Sequence, residues 1–319
     1  MENKTADLAI LIPSARITWL PKTLRSLAFQ SDRRFRVYVA DDSSGEDIAG
    51  IVSEFEDSLD IRCKTFTPNL GGTSLALHID RALDMLREET LVLVLSDDNE
   101  LSKFAVGRIL KTVSRHPDFD VYHLNTEIID AKGNVVETPK GFARREKNDR
   151  LFKDIFFKGA VAPLSSFVFR RNVFTSKLLL DETLLRTDLQ TIFAASAEKG
   201  IRTVSRARLR WRSHDQSMSS TPALRRKLVF SLLGFFKWSE TFFGDDYPIS
   251  AGERMELFAK FAARLVPESK PEDIKDLYMQ FAVFNGPIRR MKGASIIKRA
   301  IRDREEYLKD NAGASNRSA

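Results

Sequence analysis

The sequence predicts an α/β protein built on a doubly wound sheet, and three features carry that expectation. Short apolar runs alternate with amphipathic helical stretches through the first 115 residues. The runs are continuously apolar rather than alternating, as strands buried on both faces are. Acidic or turn-forming residues follow several of them at once, at the carboxyl ends where open α/β sheets bind ligands.

Leu8 to Ile12 is the first apolar run, ended by Pro13. Pro21 opens the next segment, where Leu20, Leu24, Leu27 and Ala28 stand at helical spacing. Val37 to Ala40 reads as a second strand, with Asp41, Asp42, Ser43, Ser44 and Gly45 as turn chemistry behind it. A helix through Ile48, Ile51, Val52 and Phe55 follows, then a third strand from Ile61 to Phe66. After Pro68-Asn69-Leu70-Gly71-Gly72, a helix is expected to place Leu75, Ile79, Ala82, Leu83 and Leu86 on one face. Leu91 to Leu95 is the most apolar strand of all, and Ser96-Asp97-Asp98-Asn99 comes directly off it. The pairs Asp41-Asp42 and Asp97-Asp98 should therefore face one crevice.

Further along, Asp118 to Asn134 is extended with a turn at Gly133-Asn134, and Gly141 to Asp149 reads as a charged loop. Phe167 to Phe169 is a strand candidate, Asp181 to Lys199 is helical and Thr203 to Arg212 is extended. Beyond Pro222 the pattern is helical and basic to about Tyr307, interrupted by Pro248, Pro267, Pro271 and Pro287. The expected organisation is a catalytic domain over 1–220, with halves 1–115 and 116–220, a basic helical region over 221–310, and a disordered polar tail over 311–319.

Composition narrows the classes. Of the 319 residues, 43% are hydrophobic and 30% charged, so a proper core can form. The single cysteine, Cys63, supplies neither an intrachain disulfide nor a cysteine metal site. Met1 to Leu11 does not read as a secretory signal, and no segment offers the ~18 apolar residues of a membrane span. A cytoplasmic protein, free or peripheral at the inner face of a membrane, is the expectation. The net charge of +7 favours acidic partners without choosing among phosphates, anionic lipid and nucleic acid. There is no zinc site, stacking motif or helix-turn-helix signature, so nucleic acid is not an expected partner.

Adjacent carboxylates at a strand end suit a hard divalent cation gripping a diphosphate, or else form a solvated turn that caps the next helix. The order of motifs sharpens that choice. Leu11-Ile12-Pro13-Ser14-Ala15-Arg16, Val39-Ala40-Asp41-Asp42-Ser43-Ser44, Asn69-Leu70-Gly71-Gly72 and Ser96-Asp97-Asp98-Asn99 together resemble the family 2 glycosyltransferases with the GT-A fold. The likeness continues through Ser165 to Arg171 and Asp181 to Asp188 and covers about residues 7 to 220. It implies a Rossmann-like mixed sheet flanked by helices, with a C-terminal helical extension. It also implies an inverting transfer from a nucleotide diphosphate sugar, commonly a UDP-sugar, to an acceptor hydroxyl on a saccharide or lipid-linked molecule, as in bacterial surface polysaccharide synthesis.

By this resemblance Pro13, Ala15 and Arg16 line the nucleotide pocket and Asp42 accepts the imide N–H of uracil, which cytosine does not offer. Asp97 binds the ribose or donor sugar. Asp98 binds Mn2+ or Mg2+ in a DXD-type acidic motif, with His214 reaching the metal or the diphosphate. Asp188 matches the catalytic base. From the residues alone, Asp188 also suits a helix N-terminus, and His214 a hydrogen-bonded surface position. Two departures stand out: Thr187 precedes Asp188 where many members have an acidic residue, and Leu77-His78 replaces Arg-Asn. His78 is read as structural.

Two basic features leave other readings open. Arg206, Arg208, Arg210 and Arg212 recur every second residue, so an extended strand would put all four on one face, for phosphate or simply for solvent. Arg225, Arg226 and Lys227 precede Leu228, Val229, Phe230, Leu232, Leu233, Phe235 and Phe236, which suits a helix at a membrane interface or an accessory helical domain. Arg289, Arg290, Lys292, Lys298, Arg299 and Arg302 add to the charge. The competing functions are nucleotidyl transfer, disfavoured because Pro13 to Trp19 lacks glycine, and non-catalytic polyanion binding.

Overall fold

The computed structural model describes residues 7–70, 74–174, 187–214, 222–250, 252–254, 256, 257 and 302. Its chain forms two compact units, one of residues 1–182 with 187–214 and the other of 183–186 with 215–319. Residues 181–186 of the Asp181 to Asp188 motif, Arg289, Arg290, Lys292, Lys298 and Arg299, and the 311–319 tail lie outside the described residues.

In the first unit a ten-stranded sheet has the main order β3-β2-β1-β4-β9-β6-β10-β5. Strands β1 (Leu8–Ser14), β2 (Phe35–Asp41), β3 (Ile61–Thr65) and β4 (Leu91–Val94) are mutually parallel. Leu8 to Ile12 and Leu91 to Leu95 are buried throughout, so the continuous apolar runs reflect cover on both faces. Helices α1 (Leu20–Ala28), α2 (Ile48–Ser53) and α3 (Leu75–Ala82) supply part of that cover. Asp47 caps α2 through Gly50 N–H and Ser74 caps α3 through Leu77 N–H. Leu20, Leu24 and Leu27 face the core from α1 as their spacing predicts. Leu75, by contrast, lies at the solvent side of α3, and His78 takes the buried position.

The chain runs outward from β1 to β2 and β3, then returns to pair β4 on the other side of β1. That reversal opens a crevice at the carboxyl ends of β1 and β4. Beyond β4 the sheet becomes mixed. β9 (Phe167–Arg170) is antiparallel to both β4 and β6 (Val121–Ile129), whereas β10 (Ile201–Arg212) is parallel to β6. The two-residue β5 (Glu100–Leu101) pairs antiparallel with β10, and α4 (Ala105–Arg115) covers that half with Val106, Ile109 and Leu110.

The expected turn at Gly133-Asn134 is present, closed by Asp130, which accepts from Lys132 and Asn134 N–H. β7 (Val135–Glu137) then pairs back onto β6. The charged stretch from Gly141 to Asp149 is more than a loop. It contains β8 (Arg145–Glu146), paired with β10, and the start of α5 (Asn148–Phe157). Glu146 is buried, accepting from Ala143 N–H and pairing with the exposed Arg150, so its charge is matched from the surface.

In the second unit, α7 (Pro222–Phe243) leads into a short 3-10 turn at Gly244–Asp246. Trp238 stacks on Phe242 at 4.7 Å, Ser239 and Tyr247 hydroxyls lie 2.6 Å apart, and Arg254 pairs with Glu240 at 2.7 Å while covering the Tyr247 ring. Phe235 and Phe236 are buried in the protein. Among the described residues no helix is long and apolar enough to cross a membrane.

His123, in the middle of β6, is fully buried between the rings of Phe142 and Phe167, at 4.7 and 4.9 Å, and among the described residues neither ring nitrogen has a hydrogen-bond partner. Burial pulls its pKa down to about 3. The native state then holds fewer protons than the unfolded chain below about pH 6.5, so stability is full above that value and falls as pH drops. Thermal unfolding between pH 7.5 and 5 should show this loss with a slope approaching ~1.4 kcal/mol per pH unit, and His123→Leu should remove that component. Equal pH slopes in the two proteins would rule the explanation out.

Candidate active site

The carboxyl ends of β1, β2 and β4 meet through backbone bonds: Asp42 N–H donates to Ser14 O and Leu95 N–H to Leu11 O. On this base Asp97 turns inward. Its Oδ2 accepts from the Ser14 hydroxyl and from Ala15 N–H, both at 3.3 Å, while Thr23 of α1 donates to its backbone carbonyl at 2.9 Å. Burial, then the Asp98 charge, push the Asp97 carboxyl up to about 6, and Arg16 pulls in the other direction. Pro13, Ala15, Arg16, Asp97 and Asp98 thus share one end of the sheet, as the sequence predicts. Ser165, just before β9, accepts from Ser96 N–H at 3.1 Å and anchors the start of the acidic turn.

Asp98 points the other way. Its Oδ2 lies 3.1 Å from Nε2 of His214, which follows β10. The His214 ring lies 5.7 Å from that of Trp19, and among the described residues His214 Nδ1 and Trp19 Nε1 are buried without hydrogen-bond partners. No group of three His, Cys, Asp or Glu side chains suited to a metal occurs among the described residues. The nitrogen and oxygen donors of His214 and Asp98 fit a divalent cation that completes its shell with phosphate oxygens and water.

Arg212 holds this corner together. It is fully buried, and its guanidinium donates to Asp98 O at 3.0 Å, Asp130 O at 2.9 Å and the Glu100 carboxylate, while lying 4.7 Å from the Trp19 ring centre. Its backbone N–H reaches Asn99 Oδ1 at 3.0 Å. Both Arg212 and Asn99 therefore have structural work beside the acidic pair. Glu100, two residues after Asp98, is the carboxylate that Arg212 meets, a pairing that no local pattern in the sequence announces.

The expected four-arginine face does not form. The β10–β6 register shifts between Val204 and Arg208, and Arg206 adopts φ 59°, which takes it off the alternation. Arg210 pairs with Glu100 at 2.9 Å and Arg208 lies 3.7 Å from Glu127. The three remaining guanidinium groups are thus matched to carboxylates rather than offered to phosphate.

Asp42 is nearly buried, and its Oδ1 receives Leu70 N–H at 3.0 Å and Arg81 Nη2, with His78 Nδ1 at 3.3 Å. Asp41 is engaged locally, by Ser44 and by the Thr65 hydroxyl at 2.9 Å. Asp188 stands in the first turn of α6 (Thr187–Ala195), where its Oδ1 accepts from Leu189 N–H at 2.8 Å. Helix α6 packs against Leu164–Ser166, the segment that anchors Ser96. Asn148 of α5 fastens it from behind, donating to Phe193 O and accepting from Ser196. Sequence reasoning missed Trp19, Thr23 and Arg81, which carry no motif of their own.

The model of glycosyl transferase family 2 matches residues 13–176. No curated protein matches the chain. Among solved structures, S. aureus TarS 1-349 in complex with UDP-GlcNAc superposes with a TM-score of 0.54 at 17% identity, covering 81% of this chain and 72% of that one. The same S. aureus fragment in complex with UDP gives 0.54 at 16%, covering 95% and 92%. GalNAc-T7 with UDP, GalNAc and Mn2+ gives 0.54 at 11%, covering 88% and 55%. This chain covers only 43% of the longer S. aureus TarS structure.

Removing the buried guanidinium should be costly. Arg212→Met leaves the Asp98 and Asp130 carbonyls without their donor and Glu100 with Arg210 alone, and should cost about 3 kcal/mol in denaturant unfolding. Arg210→Met, at a position 30% exposed, should cost under about 1 kcal/mol. Equal losses would contradict this assignment of roles.

Proposed function

Because the chain belongs to glycosyl transferase family 2 and has the GT-A fold, we propose that it transfers a sugar from a UDP-sugar to an acceptor hydroxyl with inversion at the anomeric carbon. The observation that carries the reading is the acidic turn after β4, where Asp97 is tied to the end of β1 and Asp98 faces His214. Those bonds join two sides of the crevice that a nucleotide diphosphate would occupy. That structures of similar fold hold UDP-GlcNAc, or UDP with GalNAc and Mn2+, supports the choice of donor class.

In this reading Pro13, Ala15 and Arg16 line the nucleotide pocket, Asp42 takes the uracil N–H, and Asp97 holds the ribose or donor sugar. Asp98 and His214 hold Mn2+ or Mg2+, which when bound supplies charge stabilisation to the diphosphate leaving group. Asp188 accepts the proton of the acceptor hydroxyl as its oxygen attacks the anomeric carbon. The new C–O bond forms on the face opposite the nucleotide, and the bond to the β-phosphate oxygen breaks. The acceptor is a saccharide or lipid-linked hydroxyl of a surface polysaccharide, met at the cytoplasmic face of a membrane. Polyanion binding loses its main support, because Arg208, Arg210 and Arg212 of β10 are paired with Glu127 and Glu100.

Calorimetric titration of UDP should show binding that strengthens with manganese and loses that dependence in Asp98→Ala. Metal-independent UDP binding identical in the two proteins would remove the metal assignment, and absence of any nucleotide binding would remove the donor site. Asp188→Asn should leave UDP affinity unchanged and lower kcat by roughly 10² to 10⁴. A product with retained anomeric configuration, read by NMR, would contradict the direct displacement.

A further inference from the structure

Two side chains of α3, His78 and Arg81, converge on Asp42, and their hydrogens can be assigned. His78 Nε2 lies 3.0 Å from Ala40 O, and a carbonyl only accepts, so Nε2 carries the proton. Burial holds the imidazole pKa below its ordinary value, which keeps the ring neutral. Nδ1 is then a bare lone pair, 3.3 Å from the Asp42 Oδ1 lone pairs. Two acceptors at that distance repel unless something donates to both.

Arg81 does so. Its Nε–H donates to His78 Nδ1 at 3.1 Å and its Nη2–H to Asp42 Oδ1. The guanidinium is itself fixed, by Nη1 donating to Pro68 O at 2.8 Å and by the Phe66 ring 5.2 Å from its centre. The other charged group facing His78 is Asp41, already bonded to Ser44 and Thr65. All the donors gather on Oδ1. Among the described residues nothing donates to Oδ2.

We infer that Arg81 is a positioning residue for nucleobase selection: its fork bridges neutral His78 and Asp42, orienting the carboxylate so that Oδ2 is left to accept the uracil N–H. The inference rests on the proposed role of Asp42 toward the base. It also bears on Leu77-His78, where many family members have Arg-Asn. Arg81, one helical turn after Leu77, brings a guanidinium to Asp42, and His78 supplies the second acceptor that fixes its orientation.

The test pairs NMR titration of the His78 imidazole, assigned by comparison with His78→Gln, with calorimetry of UDP and CDP at pH 8 and pH 6. In the wild type His78 should stay neutral across that range and UDP affinity should change little. In Arg81→Met the ring should titrate within it, because a proton on Nδ1 then replaces the lost donor to Oδ1. UDP affinity should fall about tenfold at pH 8, with a narrower preference over CDP, and recover toward pH 6. Arg81→Lys, whose ammonium is a point donor without the planar fork, should recover only part of the pH 8 loss, and it carries the same comparison if the Met variant does not fold. A His78 that remains neutral without Arg81, or a UDP loss equal at both pH values, overturns the inference. Asp42→Asn checks the underlying reading separately: if it binds UDP and CDP as the wild type does, the base role of Asp42 falls, and the inference with it.

Discussion

A buried guanidinium organises the acidic turn at the carboxyl end of this sheet. Arg212 lies at the last position of β10, yet most of its bonds go to the acidic turn after β4 and to the Asp130–Ala131 turn after β6. Such a charge is tolerated inside because every direction it faces offers a carbonyl, a carboxylate or a ring. Satisfying it draws three separate chain segments to one point. It also fixes where the chain leaves β10, and so where His214 meets Asp98.

The acidic turn is held from both sides by different chemistry. Toward β1, Asp97 binds Ser14 and Ala15, a link between the strands flanking the reversal in strand order. Toward β10, Asp98 and Glu100 meet His214 and Arg212. Neighbouring carboxylates therefore sit in contrasting surroundings: Asp97 is almost dry, with burial raising its pKa, whereas Asp98 faces an imidazole. Environments that differ this much across one peptide bond allow two adjacent acidic residues to take different tasks.

The half of the fold over residues 1–115 was legible because its signals are local. Leu8 to Ile12, Val37 to Ala40 and Leu91 to Leu95 are continuous apolar runs, and Leu20, Leu24 and Leu27 repeat at helical spacing. The site residues at strand ends followed from the same pattern, since Asp41-Asp42 and Asp97-Asp98 each come directly after such a run. The half over residues 116–220 was harder. β8 and the buried Glu146 look like a charged loop, because the pairing that stabilises them comes from β10, more than fifty residues away. The arginine alternation misled for a related reason: the bulge at Arg206 is a property of the β10–β6 register, and the carboxylates that match Arg208, Arg210 and Arg212 lie on other strands.

What the sequence by itself determined is the class of fold, the order of its first strands, and the identity of the residues at their carboxyl ends. Periodicity and turn chemistry act over a few residues and can be read there. Only the tertiary structure decided which partner each charged group would find. Asp42 reads as a turn residue until α3 brings His78 and Arg81 to it, and Arg212 reads as a surface cation until Glu100 and Trp19 close around it. Electrostatic and hydrogen-bond partners are set by three-dimensional proximity and burial, which in this sheet join residues from distant parts of the chain.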